Sequence, residues 1–195
     1  MISYCRPNEM KIVLASSSPR RKLLLEQIGI NFSIILPEAI ESQHKGGDFA
    51  KTVLHNAEIK AVSVINKSNG LPVLGADTLV DLKGEALGKP SDSADAIAML
   101  SKLSGKVHRV YSGISVVEPE SGVILQDYAV TDVQFRELDD EEIDDYVCSG
   151  DPLDKAGSYG IQGRGALLVD RIDGCFYNVM GLPLAKLWQI LQKLN

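Results

Sequence analysis

The segment Ser16-Ser17-Ser18-Pro19-Arg20-Arg21 sets two arginines at the start of a helix expected to begin at Pro19. That end of a helix carries the positive pole of its dipole, so each cation there costs about 0.3–1 kcal/mol and an anion is favoured. A serine loop, first-turn N–H groups and two guanidinium forks together suit phosphate oxygens. A serine cap followed by solvated arginines explains the same pattern, so Ser16, Arg20 and Arg21 stand as candidate phosphate contacts with that alternative open. Lys60 falls on the apolar stripe of a second helix, with Phe49, Val53, Ala57 and Val64, so it points inward over a cleft or snorkels at its rim. Asp77 sits in Leu71-Pro72-Val73-Leu74-Gly75-Ala76-Asp77-Thr78-Leu79-Val80, a strand with no other charge. A carboxylate buried there needs a cation, a metal or hydrogen bonds. Glu41, in the polar loop between the first two helices, is a weaker candidate that reads equally as a solvated loop residue. In Asp154-Lys155-Ala156-Gly157-Ser158-Tyr159-Gly160-Ile161-Gln162-Gly163, glycines recur every third residue. Gln162 suits reading the edge of a base and Tyr159 suits stacking or packing, though a plain tight loop explains the glycines as well.

What is missing narrows the chemistry. There is no Gly-x-x-x-x-Gly-Lys-Ser/Thr loop, no completed dinucleotide fingerprint, no His-Glu-x-x-His and no Gly-x-Ser-x-Gly elbow. Arginine, lysine and carboxylate without an obvious nucleophile are the equipment of a metal-assisted phosphate hydrolase.

The elements that must position these groups follow an α/β rhythm. A buried strand is expected over Lys11 to Ala15, then a helix over Pro19 to Ile28 with Ser18 as N-cap and Gly29 as stop. A helix over Asp48 to Ile65, a strand over Leu71 to Val80 and a turn at Leu82 to Glu85 come next. A third helix over Ser91 to Leu103 is capped by Ser91 or Ser93 and stopped by Gly105. Val107 to Val117 and Val123 to Phe135 read as two strands joined by a turn at Glu120-Ser121-Gly122, which makes the sheet mixed. A short acidic helix over Asp139 to Val147, the glycine-rich loop over Gly157 to Gly165, a strand over Ala166 to Ile172 and a helix over Leu184 to Leu194 complete the chain.

With 195 residues, 45% of them apolar, the chain is read as one domain or two small lobes sharing a core. Its net charge of −6 argues against a nucleic-acid polymer or an anionic membrane as partner. Cys5, Cys148 and Cys175 are far apart and odd in number, which reads as reduced thiols in a cytoplasmic protein. Met1 to Met10 lacks the apolar core of a signal peptide, and no apolar run nears the roughly 20 residues that span a bilayer. The expectation is a cytoplasmic protein that is not exported.

Taken in order, Leu14-Ala15-Ser16-Ser17-Ser18-Pro19-Arg20-Arg21, Glu58-Ile59-Lys60-Ala61, Gly75-Ala76-Asp77-Thr78, Gly88-Lys89-Pro90, Thr131-Asp132-Val133-Gln134-Phe135-Arg136 and the 154–163 loop resemble the Maf family of nucleoside triphosphate pyrophosphatases, from Lys11 to about Leu191. The resemblance implies a single Maf-like domain over 1–195 with residues 1–10 as an N-terminal extension. It implies a mixed, elongated α/β sheet flanked by helices, two lobes around a deep cleft, and likeness to inosine triphosphate pyrophosphatases. It further implies hydrolysis of a nucleoside triphosphate to the monophosphate and pyrophosphate with Mg²⁺ or Mn²⁺. The family's dTTP and UTP branch is similar to this chain at Arg20, Thr78 and Gln162, whereas the 7-methyl-GTP branch differs at all three places. On that resemblance Asp77, Lys60, Lys89 and Glu41 are the catalytic candidates. Ser16, Arg20, Arg21, Thr78 and Gln162 are the substrate contacts, and Glu41 and Asp77 the metal ligands. Two departures stand out: Ile40-Glu41-Ser42 replaces a more usual acidic pair, which weakens the case for Glu41, and Asn56 replaces an apolar residue with no expected catalytic consequence. Modified or noncanonical nucleotides, and a nucleotide-sensing role in inhibiting septum formation, are the alternative functions. A homodimer is compatible with the resemblance, but no heptad or exposed apolar stripe marks it.

Overall fold

The computed structural model describes residues 6–44 and 46–194, so Cys5 lies outside the described residues. It contains a seven-stranded sheet built from β1 (Lys11–Ala15), β2 (Asn31–Ile34), β3 (Val73–Leu82), β4 (Glu85–Leu87), β5 (Val107–Val117), β6 (Ile124–Phe135) and β7 (Val169–Asp173). The order is β2-β1-β3-β5-β6-β7, with β4 paired to β3. β1 runs parallel to both β2 and β3, while β3 with β4 and β6 with β7 are antiparallel. The sheet is thus mixed, as expected. The helices are α1 (Pro19–Gln27), α2 (Phe49–Ser63), α3 (Ser93–Leu103), α4 (Asp140–Cys148), α5 (Phe176–Val179) and α6 (Leu184–Leu191). Among the described residues no helix is long and apolar enough to cross a membrane.

The chain divides into two compact units. The first comprises Met1–Asp77, Ser112–Ala129 and Gly181–Asn195. Here α2 lies directly on the backbone of two neighbouring strands. A Cβ built on Gly75 of β3 would fall 2.0 Å from the Ala57 carbonyl oxygen, and one on Gly113 of β5 would fall 2.6 Å from the Val53 carbonyl carbon. Neither glycine is there for its backbone freedom; both are there because the helix occupies the space of a side chain. Around that contact Val13, Ala15, Ala61, Val64, Val73 and Val117 form a buried cluster.

The second unit comprises Thr78–Tyr111 and Val130–Met180. Its core joins Val80 and Leu82 of β3, Leu100 and Leu103 of α3, Val133 and Phe135 of β6, and Ile143, Tyr146 and Val147 of α4. α3 and α4 each turn an apolar face into this core. The cap of α3 differs from expectation. Asp92, rather than Ser91 or Ser93, is the N-cap and accepts from the Asp95 N–H at 2.9 Å, while Ser91 donates to the Asp95 carboxylate. Asp suits this place because its side-chain oxygen accepts a first-turn N–H and complements the positive helix end.

A polar pair lies inside this second core. His108 Nε2 is 2.7 Å from the Tyr159 hydroxyl, and both rings pack edge-on against Phe135. Burial pushes His108 down to about 4, with Asp132 opposing weakly, and the same burial pushes Tyr159 up. The unfolded chain, with an ordinary histidine near 6.5, takes up the proton first, so stability is intact above that pH and falls as pH drops from about 6.5 to 4. The expected loss is about 3 kcal/mol. Urea unfolding at pH 7 and pH 4.5 checks it: His108→Gln, which cannot titrate, should flatten the pH dependence, and an unchanged slope would contradict the assignment.

Candidate active site

The site candidates in the first unit converge because of how β1 and β3 pair. The parallel register Ala15↔Gly75 brings the chain after β1, starting at Ser16, out at the level where β3 carries Ala76 and Asp77. Ser16 is buried, and its hydroxyl accepts from the Ser18 N–H and from Arg21 Nη1, both at 3.2 Å. Arg21 Nε donates to the Gly181 carbonyl at 2.9 Å, so this arginine is fixed at both ends of its guanidinium and is no solvated bystander. Ser18 occupies the N-cap position of α1, yet its side chain makes no capping bond. An anion at this end of α1 would complement the positive pole of the helix dipole.

α2 supplies the opposing wall. Asp48 caps it, accepting from the N–H groups of Ala50 and Lys51. Its inward face carries Phe49, Val53, Asn56, Ala57, Lys60 and Ala61, all buried. Because Gly75 admits the helix against β3, Lys60 reaches the strand: its ammonium is 2.7 Å from Asp77 Oδ1 and 3.0 Å from Glu41 Oε1, with the Ala76 carbonyl at 3.4 Å. Lys60 thus points inward and does not snorkel. Its side chain and that of Asp77 are 8% and 7% exposed, against 54% for Glu41. The buried carboxylate has the cation it requires, and that cation also holds the solvent-facing one.

Arg21 completes the electrostatic group. Burial holds its guanidinium below the usual arginine value, Asp77 and Glu41 push it back up, and Arg20 pushes it further down. Two arginines, one lysine and two carboxylates therefore feel one another within the first unit, leaving a net positive charge toward a polyanion. Ser16, Arg20, Arg21, Glu41, Lys60 and Asp77 are the sequence-derived candidates brought into this neighbourhood.

Three others belong to the second unit. Thr78 follows Asp77 on β3 and is half-buried; Lys89 and Gln162 are exposed. Gln162 precedes a 3-10 turn over Gly163–Leu168. In the same loop Tyr159 is buried with its hydroxyl on His108, so it packs and offers no face for stacking. Gly157 has φ 68°, and a Cβ on Gly165 would fall 2.0 Å from the Gly160 carbonyl oxygen, which gives these glycines structural reasons of their own. Lys155 is buried, and its ammonium bonds the Asp151 carbonyl and the carboxylates of Asp151 and Asp154 at 2.9 and 2.8 Å. That lysine stitches the turns of this loop together.

Asn56, which the sequence marks only as a departure without catalytic consequence, is 2% exposed. Its Oδ1 accepts from the Ser42 N–H at 2.9 Å, and its Nδ2 donates to the Ser42 carbonyl at 3.1 Å and to Asp77 Oδ2 at 3.0 Å. The available signal was spacing: residues 56 and 60 stand one helical turn apart on the same face.

Residues 11–194 match the family of Maf-like proteins. A dTTP/UTP pyrophosphatase of Aquifex aeolicus (strain VF5) is 48% identical over 186 residues, covering 95% of this chain and 96% of its own. Proteins of the same name from Caldicellulosiruptor bescii and Bacillus thuringiensis subsp. konkukian are each 46% identical, over 189 and 185 residues, and cover 95% of this chain and 95% and 96% of theirs. A solved structure of the Staphylococcus aureus Ham1 protein aligns with 64% of this chain and 71% of its own at 17% identity and a TM-score of 0.46, a likeness too slight to bear on the fold. With the family match running through both compact units and the relatives covered nearly end to end, the chain belongs to the Maf-like protein family.

Proposed function

We propose that this chain is a nucleoside triphosphate pyrophosphatase that hydrolyses dTTP and UTP to the monophosphate and pyrophosphate, with Asp77 as its general base. The observation that carries the reading is the buried Asp77–Lys60 pair shared with Glu41 and flanked by Arg21. The relatives named dTTP/UTP pyrophosphatase support the substrate class.

Water attacks the α-phosphorus in line. Its oxygen forms the new P–O bond, its proton passes to the Asp77 carboxylate, and the bond to the bridging oxygen breaks with its electron pair leaving on pyrophosphate. An ionised carboxylate has about four acceptor positions, so Asp77 keeps room for a water beside its bonds to Lys60 and Asn56. Lys60 holds the two carboxylates side by side. Arg20 and Arg21 at the α1 N-terminus hold phosphate oxygens, with Ser16 fixing Arg21, and Lys89 offsets charge growing on the leaving group. Thr78 and Gln162 set base preference.

Glu41 and Asp77 are the residues that would hold Mg²⁺ or Mn²⁺. The donor set fits such a cation: two carboxylates and no nitrogen or sulfur ligand, as hard cations bound jointly with substrate phosphates require. No third His, Cys, Asp or Glu joins them into a metal-binding group among the described residues. When bound, the cation supplies charge neutralisation at the phosphate oxygens. Cys148 and Cys175 are free thiols, which supports a cytoplasmic setting.

Pyrophosphate release with Mg²⁺ or Mn²⁺ across dTTP, UTP, CTP, GTP, ATP, 7-methyl-GTP and modified pyrimidine triphosphates tests the function. Activity favouring dTTP and UTP is expected, preference for 7-methyl-GTP would overturn the base assignment alone, and silence on every nucleotide would overturn the enzyme reading. Gln162→Glu should change the preference between pyrimidine and purine triphosphates by about tenfold with the best kcat retained. A uniform loss across the panel would remove Gln162 from base reading.

A further inference from the structure

We infer that Asn56 is a positioning residue that locks the Glu41 loop to Asp77, so that the two carboxylates are presented to substrate as one unit; the inference rests on the functional reading above. The loop between β2 and α2 has no regular secondary structure through Glu41, and Glu41 itself is half exposed. Its ion pair to Lys60 alone would leave it free to swing, since an exposed carboxylate pays side-chain entropy for a single contact. The neighbouring residue removes that freedom. Ser42 is bonded through both its N–H and its carbonyl to the side-chain amide of Asn56, at 2.9 and 3.1 Å, in the manner of a two-residue strand pairing.

The remaining Asn56 N–H goes to Asp77 Oδ2 at 3.0 Å, while Asp77 Oδ1 is held by Lys60. The orientation of the amide is therefore unambiguous. Only an oxygen can receive the Ser42 N–H, and only an NH₂ group can serve the Ser42 carbonyl and the Asp77 carboxylate together. A second tie lies two residues on, where His44 Nδ1 is 3.0 Å from Thr52 Oγ1 and the imidazole stacks on Phe49. Ser42 and His44 are thus both fastened to α2, and Asn56 is the fastening that also touches the proposed base.

Two substitutions separate positioning from mere filling of space. Asn56→Asp keeps the shape and the bond from the Ser42 N–H, but sets a carboxylate oxygen against the Ser42 carbonyl and Asp77 Oδ2. Asn56→Leu fills the buried volume without any bond. With dTTP, both should lower kcat by about 10- to 100-fold with KM within about twofold, because support of reacting groups is lost and substrate contacts are not. The loss should exceed anything explained by their midpoints of thermal unfolding, and Asn56→Asp should be the slower of the two. The decisive readout is a cycle with Glu41→Gln: if Asn56 acts through Glu41, Asn56→Leu should cost less than about threefold in the Glu41→Gln background. Additive losses, losses confined to KM, or parent-like kcat in both variants would overturn the inference. An inactive parent enzyme would instead sink the functional reading.

Discussion

Asp77→Asn should lower pyrophosphate release from dTTP by about 10³-fold, the scale set by loss of a positioned general base. Asparagine keeps the shape of the side chain and removes its proton affinity. It also cannot satisfy both of its neighbours. Lys60 and Asn56 each donate to a different oxygen of Asp77, whereas an asparagine has one oxygen and one NH₂ group. One donor must then face another, with an expected stability loss of about 1–3 kcal/mol. Activity is therefore read on protein shown to be folded by its urea midpoint, with KM recorded alongside kcat. A fall in kcat with KM nearly unchanged is the signature of a group used in the transition state. Turnover within tenfold of the parent would exclude Asp77 as the base.

Lys60→Met should produce the largest loss of stability. Lys60 and Asp77 bury each other almost completely, while Glu41 faces solvent. Removing the ammonium strands the Asp77 carboxylate, and breaking a buried pair from one side costs about 3–5 kcal/mol. Glu41 adds little to that sum because water can solvate it. The field of Arg21, which Asp77 already feels, places the expected value toward the lower end of the range. Urea unfolding of the single variant gives the cost. The double variant Lys60→Met with Asp77→Asn should recover much of it, since the stranded charge is then gone. A single variant within about 1 kcal/mol of the parent, which an exposed pair would give, would show that the pair is not what supports β3 and α2 in this region.

Much of this arrangement was legible beforehand because it is written in patterns of two and three and a half residues. Lys60 stood on an apolar helical stripe and Asp77 inside an uncharged strand, and both anomalies resolve into a single contact. The Ser16–Arg21 segment likewise announced a helix start, although only the structure shows Arg21 held by the Gly181 carbonyl, 160 residues away in the chain. Short elements escaped: β2, β4 and α5 have four, three and four residues, too few to show a period. β7 begins at Val169 rather than Ala166, because Gly163–Leu168 forms a 3-10 turn that apolar content alone does not distinguish from a strand. In the sequence Asn56 shows only as a polar residue in an apolar place, with no catalytic consequence attached. A polar side chain on a buried face instead marks a partner not yet found, and here it has two, Ser42 and Asp77.

The seating of α2 on Gly75 and Gly113 has a consequence for how this site can drift. A helix cushioned by side chains changes depth whenever one of them grows or shrinks. This one bottoms out on main chain, which has no alternative sizes. The interval between Lys60 and Asp77 is thus fixed by peptide geometry, like a shelf resting on its brackets, and the valines and alanines around it are free to be exchanged. Variation in that cluster should alter how stable the first unit is while leaving the ion pair at its present length. The two glycines themselves are the positions at which any side chain would lift the lysine away from its carboxylate.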